Sequence, residues 1–315
     1  MISLENVKKL LVKYNSFALF CHVRPDGDTL GSACALARVL STMGKRVEVF
    51  CADAIPERFS FLGIDKIVKS EFFGEYELHI AIDCAEEGRM GDMFSCFINN
   101  KNTLVIDHHI SNTRFARENY VSETAANCEN IYDIICELGV DFDSLTSNML
   151  AMGILTDTGN FKHRNVTAKT LYTTSKLVEK GANLNEISYY MFTKQSKERA
   201  KLFGLVMSKI RYLLDGEFAV ALISQEDLTI SCAKKDETEG FIDFIMGIDQ
   251  VKVGATLLEL EKNKYKISLR SKGTDVNAVA SVFGGGGHTV ASGCQISGEY
   301  EEVVDRLRYA VKQNI

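Results

Sequence analysis

The stretch FALFCHVRPDGDTLGS, residues 17–32, decides how the first half of the chain folds. Its opening run, FALFCHV, reads as a buried strand, placed at residues 16–23. A helical pattern follows over residues 29–43, with small residues in its first turns. Between the two lie His22, Asp26 and Asp28. A strand that passes through a short turn into a helix is the opening half of a βαβ unit. Two carboxylates crowded at a strand end are costly unless a positive charge holds them. The stretch therefore also asks what that charge is.

Outward from it the alternation continues. Residues 46–51, 77–83 and 103–106 read as strands, and 127–138, 143–155 and 167–180 as helices. Asp143 suits an N-cap and Gly181 a helix stop. Ahead of the first strand, MISLENVKKLLVKYN reads as an amphipathic helix. The expected class is α/β: over residues 1–182, a mostly parallel sheet flanked by helices. The run NLNEISYYMFTKQSKERAKLFG is polar and lacks a strand signal. It reads as a helical connector, residues 183–208, its basic cluster a solvated face. Beyond it, strands at 210–214, 218–223, 251–260 and 265–271 mix with helices at 239–246, 276–283 and 299–311. Lys262-Asn263-Lys264 joins two of these strands as a hairpin. Residues 209–315 thus form a smaller C-terminal α/β domain. There is no internal repeat and no low-complexity tract.

Composition sets the outer limits. The chain has 315 residues, 46% hydrophobic and 25% charged, which suits two globular domains with real cores. No segment approaches the ~20 apolar residues of a membrane span. No signal-peptide pattern opens the sequence, so a cytoplasmic protein is expected. The nine cysteines are irregularly spaced and include no C-x-x-C pair. Most, such as Cys21, Cys34, Cys51 and Cys136, lie in apolar runs, which favours buried reduced thiols. A net charge of −6 argues against stable duplex nucleic-acid binding but permits a local basic cleft.

Four clusters carry the chemistry. The first is His22, Asp26 and Asp28; the second is Asp83, ending LHIAIDCAE; the third is Asp107-His108-His109, ending NTLVIDHH; the fourth is Asp157, in GILTDTGNF. Each lies at the carboxyl end of an apolar strand or at a helix end beside it. In an open parallel sheet such ends share one crevice. Carboxylates and imidazoles without thiolates suit Mn²⁺ or Mg²⁺, the imidazoles favouring Mn²⁺, iron or cobalt. Four aspartates and two histidines exceed what one octahedral ion with open positions needs. Two ions sharing a carboxylate use them all, and such a pair is a clamp for in-line displacement at phosphorus. Each cluster alone has a bland explanation: a turn, a helix cap, a structural histidine. Their joint occurrence does not.

H-x-x-x-D-x-D, a later strand-end Asp, D-H-H and D-T-G-x-F, together with F-G-G-G-G-H at residues 283–288, resemble the DHH phosphoesterase superfamily with its C-terminal DHH-associated domain. The resemblance spans nearly the whole chain and points to the stand-alone nanoRNase and pAp-phosphatase branch. It implies that His22 and Asp26 bind one metal, that Asp28, His108 and Asp157 bind a second, and that Asp83 bridges them. His109 then faces the scissile phosphate, and Asp107 orients a histidine. Two divalent ions are implied, manganese first, with magnesium or cobalt able to substitute. Ser292 stands where relatives often carry alanine, a mild departure.

The C-terminal domain offers a substrate side. In GGGGHTVASG, glycines let backbone N–H groups approach an anion, and His288 can donate to a phosphate oxygen. The expected contacts are Gly285, Gly286, Gly287 and His288. In KNKYKISLRSKG, strand periodicity puts Lys266, Ser268 and Arg270 on one face and Tyr265, Ile267 and Leu269 towards the core. Arg270 is the phosphate candidate, because a guanidinium pairs bidentately with phosphate. Lys262 and Lys264 read as solvated edge lysines.

The expected activity is metal-hydroxide attack on short oligonucleotides of two to five nucleotides, on 3′-phosphoadenosine 5′-phosphate (pAp), or on both. Partners are then short single-stranded RNA or DNA, or a small phosphorylated nucleotide; a homodimer is left open. A cyclic di-AMP or pApA phosphodiesterase is the nearest alternative. A RecJ-like exonuclease calls for a longer chain, and a manganese pyrophosphatase lacks the glycine-histidine run. A catalytically silent nucleotide-binding protein is expected to have lost ligands, and none is missing. An aspartyl-phosphate phosphatase fits poorly, since Leu30 stands where Thr or Val is usual.

Overall fold

The computed structural model describes residues 1–315. The chain divides into two units, Met1–Lys194 and Gln195–Ile315. No helix is long and apolar enough to cross a membrane.

In chain order, the first unit contains α1 (Leu4–Lys13), β1 (Ser16–Phe20), α2 (Gly27–Thr42), β2 (Arg46–Phe50), β3 (Val68–Lys69), β4 (Leu78–Ile82), α3 (Met93–Ile98), β5 (Thr103–Asp107), β6 (Glu118–Val121), α4 (Asn127–Leu138), α5 (Ser144–Asp157), α6 (Ala168–Glu179) and α7 (Leu184–Ser188). Its six strands are all parallel, in the order β3-β2-β1-β4-β5-β6. The order reverses between β1 and β4, which makes that pair the topological switch point.

The central strands are buried on both faces, so they are continuous apolar runs rather than alternating ones. Alternation decides which core each side chain joins. Phe17 and Leu19 pack with the helix layer containing α2, α4 and α5. Ala18 and Phe20 face the other way, into an aromatic layer with Phe50, Tyr76 and Phe97. Helix α2 is buried along most of its length, because it is covered by the sheet and by α5. Small residues allow this. A Cβ on Gly31 would lie 2.3 Å from the Met149 carbonyl oxygen, and one on Gly153 would lie 2.2 Å from Cys128 Sγ.

The second unit contains α8 (Lys197–Met207), β7 (Arg211–Leu213), β8 (Phe218–Ile223), α9 (Gln225–Ser231), α10 (Phe241–Met246), β9 (Val253–Glu261), β10 (Lys264–Ser271), α11 (Val276–Ser281), β11 (Gly286–His288), β12 (Ala291–Ser297) and α12 (Tyr300–Lys312). Its mixed sheet has the order β11-β12-β10-β9-β8-β7, with only β8 and β9 parallel. One face packs against α11 and α12, the other against α8, α9 and α10.

Several local readings change. Residues 183–208 divide between the units: α7 and the π-turn Tyr189–Thr193 fall in the first, α8 in the second. Leu202 and Val206 are buried in the second core. Arg199 belongs to the expected solvated face, yet its guanidinium donates to the Glu237 and Glu239 carbonyls and lies over the Phe241 ring. Cys136 is exposed rather than buried, because it lies on the outer face of α4. The elements that escaped the pattern reading are short or poor in large apolar residues: β3, α3, β6, α9, β11 and β12.

Candidate metal centre

Each of the four clusters is placed by a different element. His22 lies two residues past β1, and Asp83 directly past β4, so both sit at the switch point. Asp26 is the N-cap of α2 and accepts the Asp28 and Thr29 N–H groups at 3.0 and 3.1 Å. Asp28 follows inside the first turn. Asp107 ends β5, and His108 and His109 leave the sheet together. Asp157 is the last residue of α5.

The six expected ligands converge. Donor atoms within 4.8 Å of one another form three overlapping groups: His22, Asp26 and Asp83; Asp28, His108 and Asp157; and Asp83, His108 and His109. His22 Nε2 is 3.4 Å from Asp26 and 3.7 Å from Asp83. His108 Nε2 is 3.4 Å from both Asp83 and Asp157, and 3.8 Å from Asp28.

Neighbouring carbonyls aim the rings. His108 Nδ1 lies 3.0 Å from the Thr124 carbonyl and His22 Nδ1 lies 2.8 Å from the Val23 carbonyl. Each contact directs Nε2 at the carboxylates, as metal-ligating imidazoles require. His109 contacts Asp107 through Nδ1 at 2.8 Å, and Asn112 holds the other Asp107 oxygen at 2.6 Å. Asp107 therefore orients His109. Asp28 accepts the N–H groups of Asn127 and Cys128, the first residues of α4. Helix α4 has no side-chain cap of its own, and Asp28 supplies one from 99 residues upstream.

The backbone is unusual at the same place. Asp83 has φ 58°, and Gly159, Asn160 and Phe161 are three consecutive left-handed residues separated from Asp157 only by Thr158. Such conformations persist where surrounding contacts impose them, and they gather at functional sites.

The site fits divalent cations on its own observations. Asp83 Oδ1 and His108 Nε2 are buried and lack any hydrogen-bond partner. Burial, then repulsion from Asp83, pushes Asp28 up to about 7; burial, then repulsion from Asp28, Asp83 and Asp26, pushes Asp157 up to about 10. Burial alone would depress His22, but its hydrogen bonds to Asp26 and Asp83 outweigh it and raise the ring to about 10. Protons are therefore held where cations would otherwise balance the charge. A cavity of about 740 Å³ beside Arg38, Ile67 and Phe142 contains none of these residues. Convergence of donors, not volume, defines the centre.

In the second unit, Lys266, Ser268 and Arg270 line one cavity of about 360 Å³ with Lys235 and Thr256, while Tyr265, Ile267 and Leu269 are buried. The glycine run serves close packing. A Cβ on Gly285 would meet the Gly293 carbonyl oxygen at 2.2 Å, and the Gly287 φ is 153°. The N–H groups of Gly285 and Gly287 donate to the Ala280 carbonyl and Asn277 Oδ1. Gly286 and His288 are exposed on edge strand β11. The sequence reading missed Asn112 and the α4 amides. None of these lies in a motif-like cluster, and only the folded contacts reveal them.

A parallel sheet that collects carboxylates and imidazoles at its switch point, joined to a second α/β unit, defines a class of metal-dependent hydrolases. Residues 16–154 match the DHH family, N-terminal domain, and residues 222–315 match the DHHA1 domain. The chain belongs to the DHH phosphoesterase superfamily. It is 29% identical over 301 residues to the bifunctional oligoribonuclease and PAP phosphatase NrnA of Thermus thermophilus, covering 93% of this chain and 88% of that one. Its identity to the protein of the same name from Bacillus subtilis is 26% over 288 residues, covering 90% of each. The solved structure of an exopolyphosphatase-related protein from Bacteroides fragilis superposes with a TM-score of 0.85 at 25% identity, covering 98% of this chain and 95% of that one.

Proposed function

We propose that the protein hydrolyses short oligoribonucleotides and pAp with two divalent cations, manganese first among them. The observation that carries this is the meeting of six oxygen- and nitrogen-donor residues, among which Asp83 Oδ1 and His108 Nε2 are buried without a hydrogen-bond partner. The names of the relatives supply the substrate class. In this reading His22 and Asp26 hold one ion; Asp28, His108 and Asp157 hold the other; Asp83 serves both. Bound there, the ions would activate water and offset charge on the phosphoryl oxygens.

The remaining steps belong to side chains. His109 is 43% exposed while its Nδ1 is fixed on Asp107, so Nε2 is free to face substrate. The hydrogen bond that its Nδ1–H donates to Asp107 raises its affinity for a proton, which suits donation to a leaving oxygen. In the second unit, Arg270, Lys266 and His288 bind the distal phosphate or nucleotide, and Gly286 gives it backbone access. Gly285 and Gly287 shape the strand behind them.

The test is a product assay with Mn²⁺ on a dinucleotide, pAp, cyclic di-AMP and pyrophosphate side by side. Cleavage of the first two, abolished by EDTA, is expected. Cleavage of pyrophosphate alone, or of nothing, overturns the reading.

A further inference from the structure

Three of the candidate ligands, Asp28, His108 and Asp157, form one group although they lie far apart in the chain. Two of them are set by a single segment. The Thr124 carbonyl aims His108, and the N–H groups of Asn127 and Cys128 hold Asp28. Residues 124–128 are thus a template for two ligands. Asp157 lies outside it. No hydrogen bond holds its carboxylate, which the His108 ring faces at 3.4 Å. The like charges of Asp28, Asp83 and Asp26 press against it.

Asn165 closes that gap. It lies in the loop between α5 and α6, two residues before Thr167, the N-cap of α6. Its Nδ2 donates to the Ala125 carbonyl at 3.0 Å and to the Asp157 carbonyl at 3.2 Å. Two carbonyls leave the amide no choice of orientation: its nitrogen must face them. Both acceptors need the donor. Asp157 ends α5, so its carbonyl lacks an intrahelical partner. Ala125 is 2% exposed, and no backbone N–H reaches its carbonyl. His163 also contacts the Asp157 carbonyl, through Nδ1 at 3.1 Å, but makes no bond to residues 124–128. Asn165 makes the hydrogen bonds that join the two. The loop carrying it is itself anchored. Lys162 and His163 donate backbone N–H groups to the Thr158 carbonyl, and Thr170 donates to Glu129 in α4 at 2.9 Å.

Resting on the function proposed above, we propose that Asn165 is a positioning residue: it ties the end of α5 to residues 124–128 and keeps Asp157 in register with Asp28 and His108, as the third ligand of one of the two ions. Without the tether, Asp157 retreats from its like-charged neighbours. Affinity for that ion then falls, while the ion on His22 and Asp26 is held as before.

Wild type, N165A, N165D, N165S and H163A are compared by two measurements that need no turnover. Mn²⁺ uptake is followed by the electron paramagnetic resonance of the free ion, which counts bound ions and gives their affinities. Amide hydrogen exchange at residues 124–128 and 157–160 is read in the metal-free protein. N165A is expected to keep one ion at wild-type affinity and to weaken the other about 10–100-fold, with faster exchange at both segments. N165D keeps the size but has no N–H to donate, and should be no better than N165A. N165S keeps one short donor, disturbs folding least and should fall between. H163A removes a donor from the same carbonyl without cutting the bridge, and should bind both ions as wild type does. Equal weakening of both ions in N165A, wild-type binding in N165A or N165D, or a loss in H163A as large as in N165A overturns the inference. Failure of the wild type to take up two ions refutes the function proposed above instead. The exchange comparison of N165A with H163A then decides the tether.

Discussion

Among single residues, Asp157 shows how the site trades stability for charge density. It is pressed by Asp28, Asp83 and Asp26 within one buried cluster. Asp157→Asn keeps the shape and removes the need to take up a proton on folding without metal. The metal-free variant is expected to be more stable than wild type by about 1–2 kcal/mol, the size typical of relieving a functional strain. Excess Mn²⁺ should stabilise wild type by about 2.7 kcal/mol at a hundredfold excess over Kd. That response should be largely lost in the variant. Differential scanning fluorimetry with and without Mn²⁺ checks both signs. An equal metal response in the two proteins would remove Asp157 from the ligand set. The convergence of the candidate ligands was readable from sequence, because strand ends and residue chemistry are local properties. What surrounds them was not: the partners of His108, Asp28 and Asp107 are Thr124, the α4 amides and Asn112, which only folding brings near.

Whole elements fail differently from single ligands. Helices α2 and α5 approach so closely that Gly31 faces the Met149 backbone. Gly31→Ala puts a methyl against an atom that no rotamer change can move. A loss of about 1–3 kcal/mol is expected by chemical denaturation, with weaker metal binding, since Asp28 lies one turn away. In the second unit, α9 is opened by a reciprocal cap. Ser224 Oγ accepts the Asp227 N–H, and the Asp227 carboxylate accepts the Ser224 N–H while paired with Lys209. Burial opposes ionisation of Asp227, but the bonds from Lys209 and Ser224 outweigh it and hold its carboxyl below the usual range. Its contribution is therefore complete above its unfolded value, near about 3.9, and is lost as pH falls through the lower folded value. Asp227→Asn should cost about 1–3 kcal/mol at neutral pH. The gap to wild type should narrow in acid below about pH 4, and a gap constant with pH would contradict this account. This cap was not anticipated, since α9 itself was not: QEDLTIS has only two large apolar residues to set a period.

At the scale of the whole molecule, two sets of cores matter. Each unit buries both faces of its own sheet. The candidate metal ligands belong to the first unit alone. Calorimetry should therefore resolve two transitions on adding Mn²⁺, one displaced upward and one unmoved. A single transition moving as a whole would mean that the units unfold together. The parallel class of the first sheet was legible because buried central strands are written as unbroken apolar runs. The second sheet was read less completely, because β12 holds only Cys294 and Ile296 as large buried residues. Its glycine run was read as an anion cradle, whereas two of its amides are committed to protein acceptors.

The tie between Asp28 and the start of α4 has a practical corollary. The same carboxylate that faces His108 also nucleates a helix carrying much of the hydrophobic layer, so assembling the pocket and ordering that layer are one event. An inactive Asp28 variant would confound chemistry with folding. A catalytic control is better sought at His109, whose ring reaches solvent and whose one hydrogen-bond partner, Asp107, is still held by Asn112.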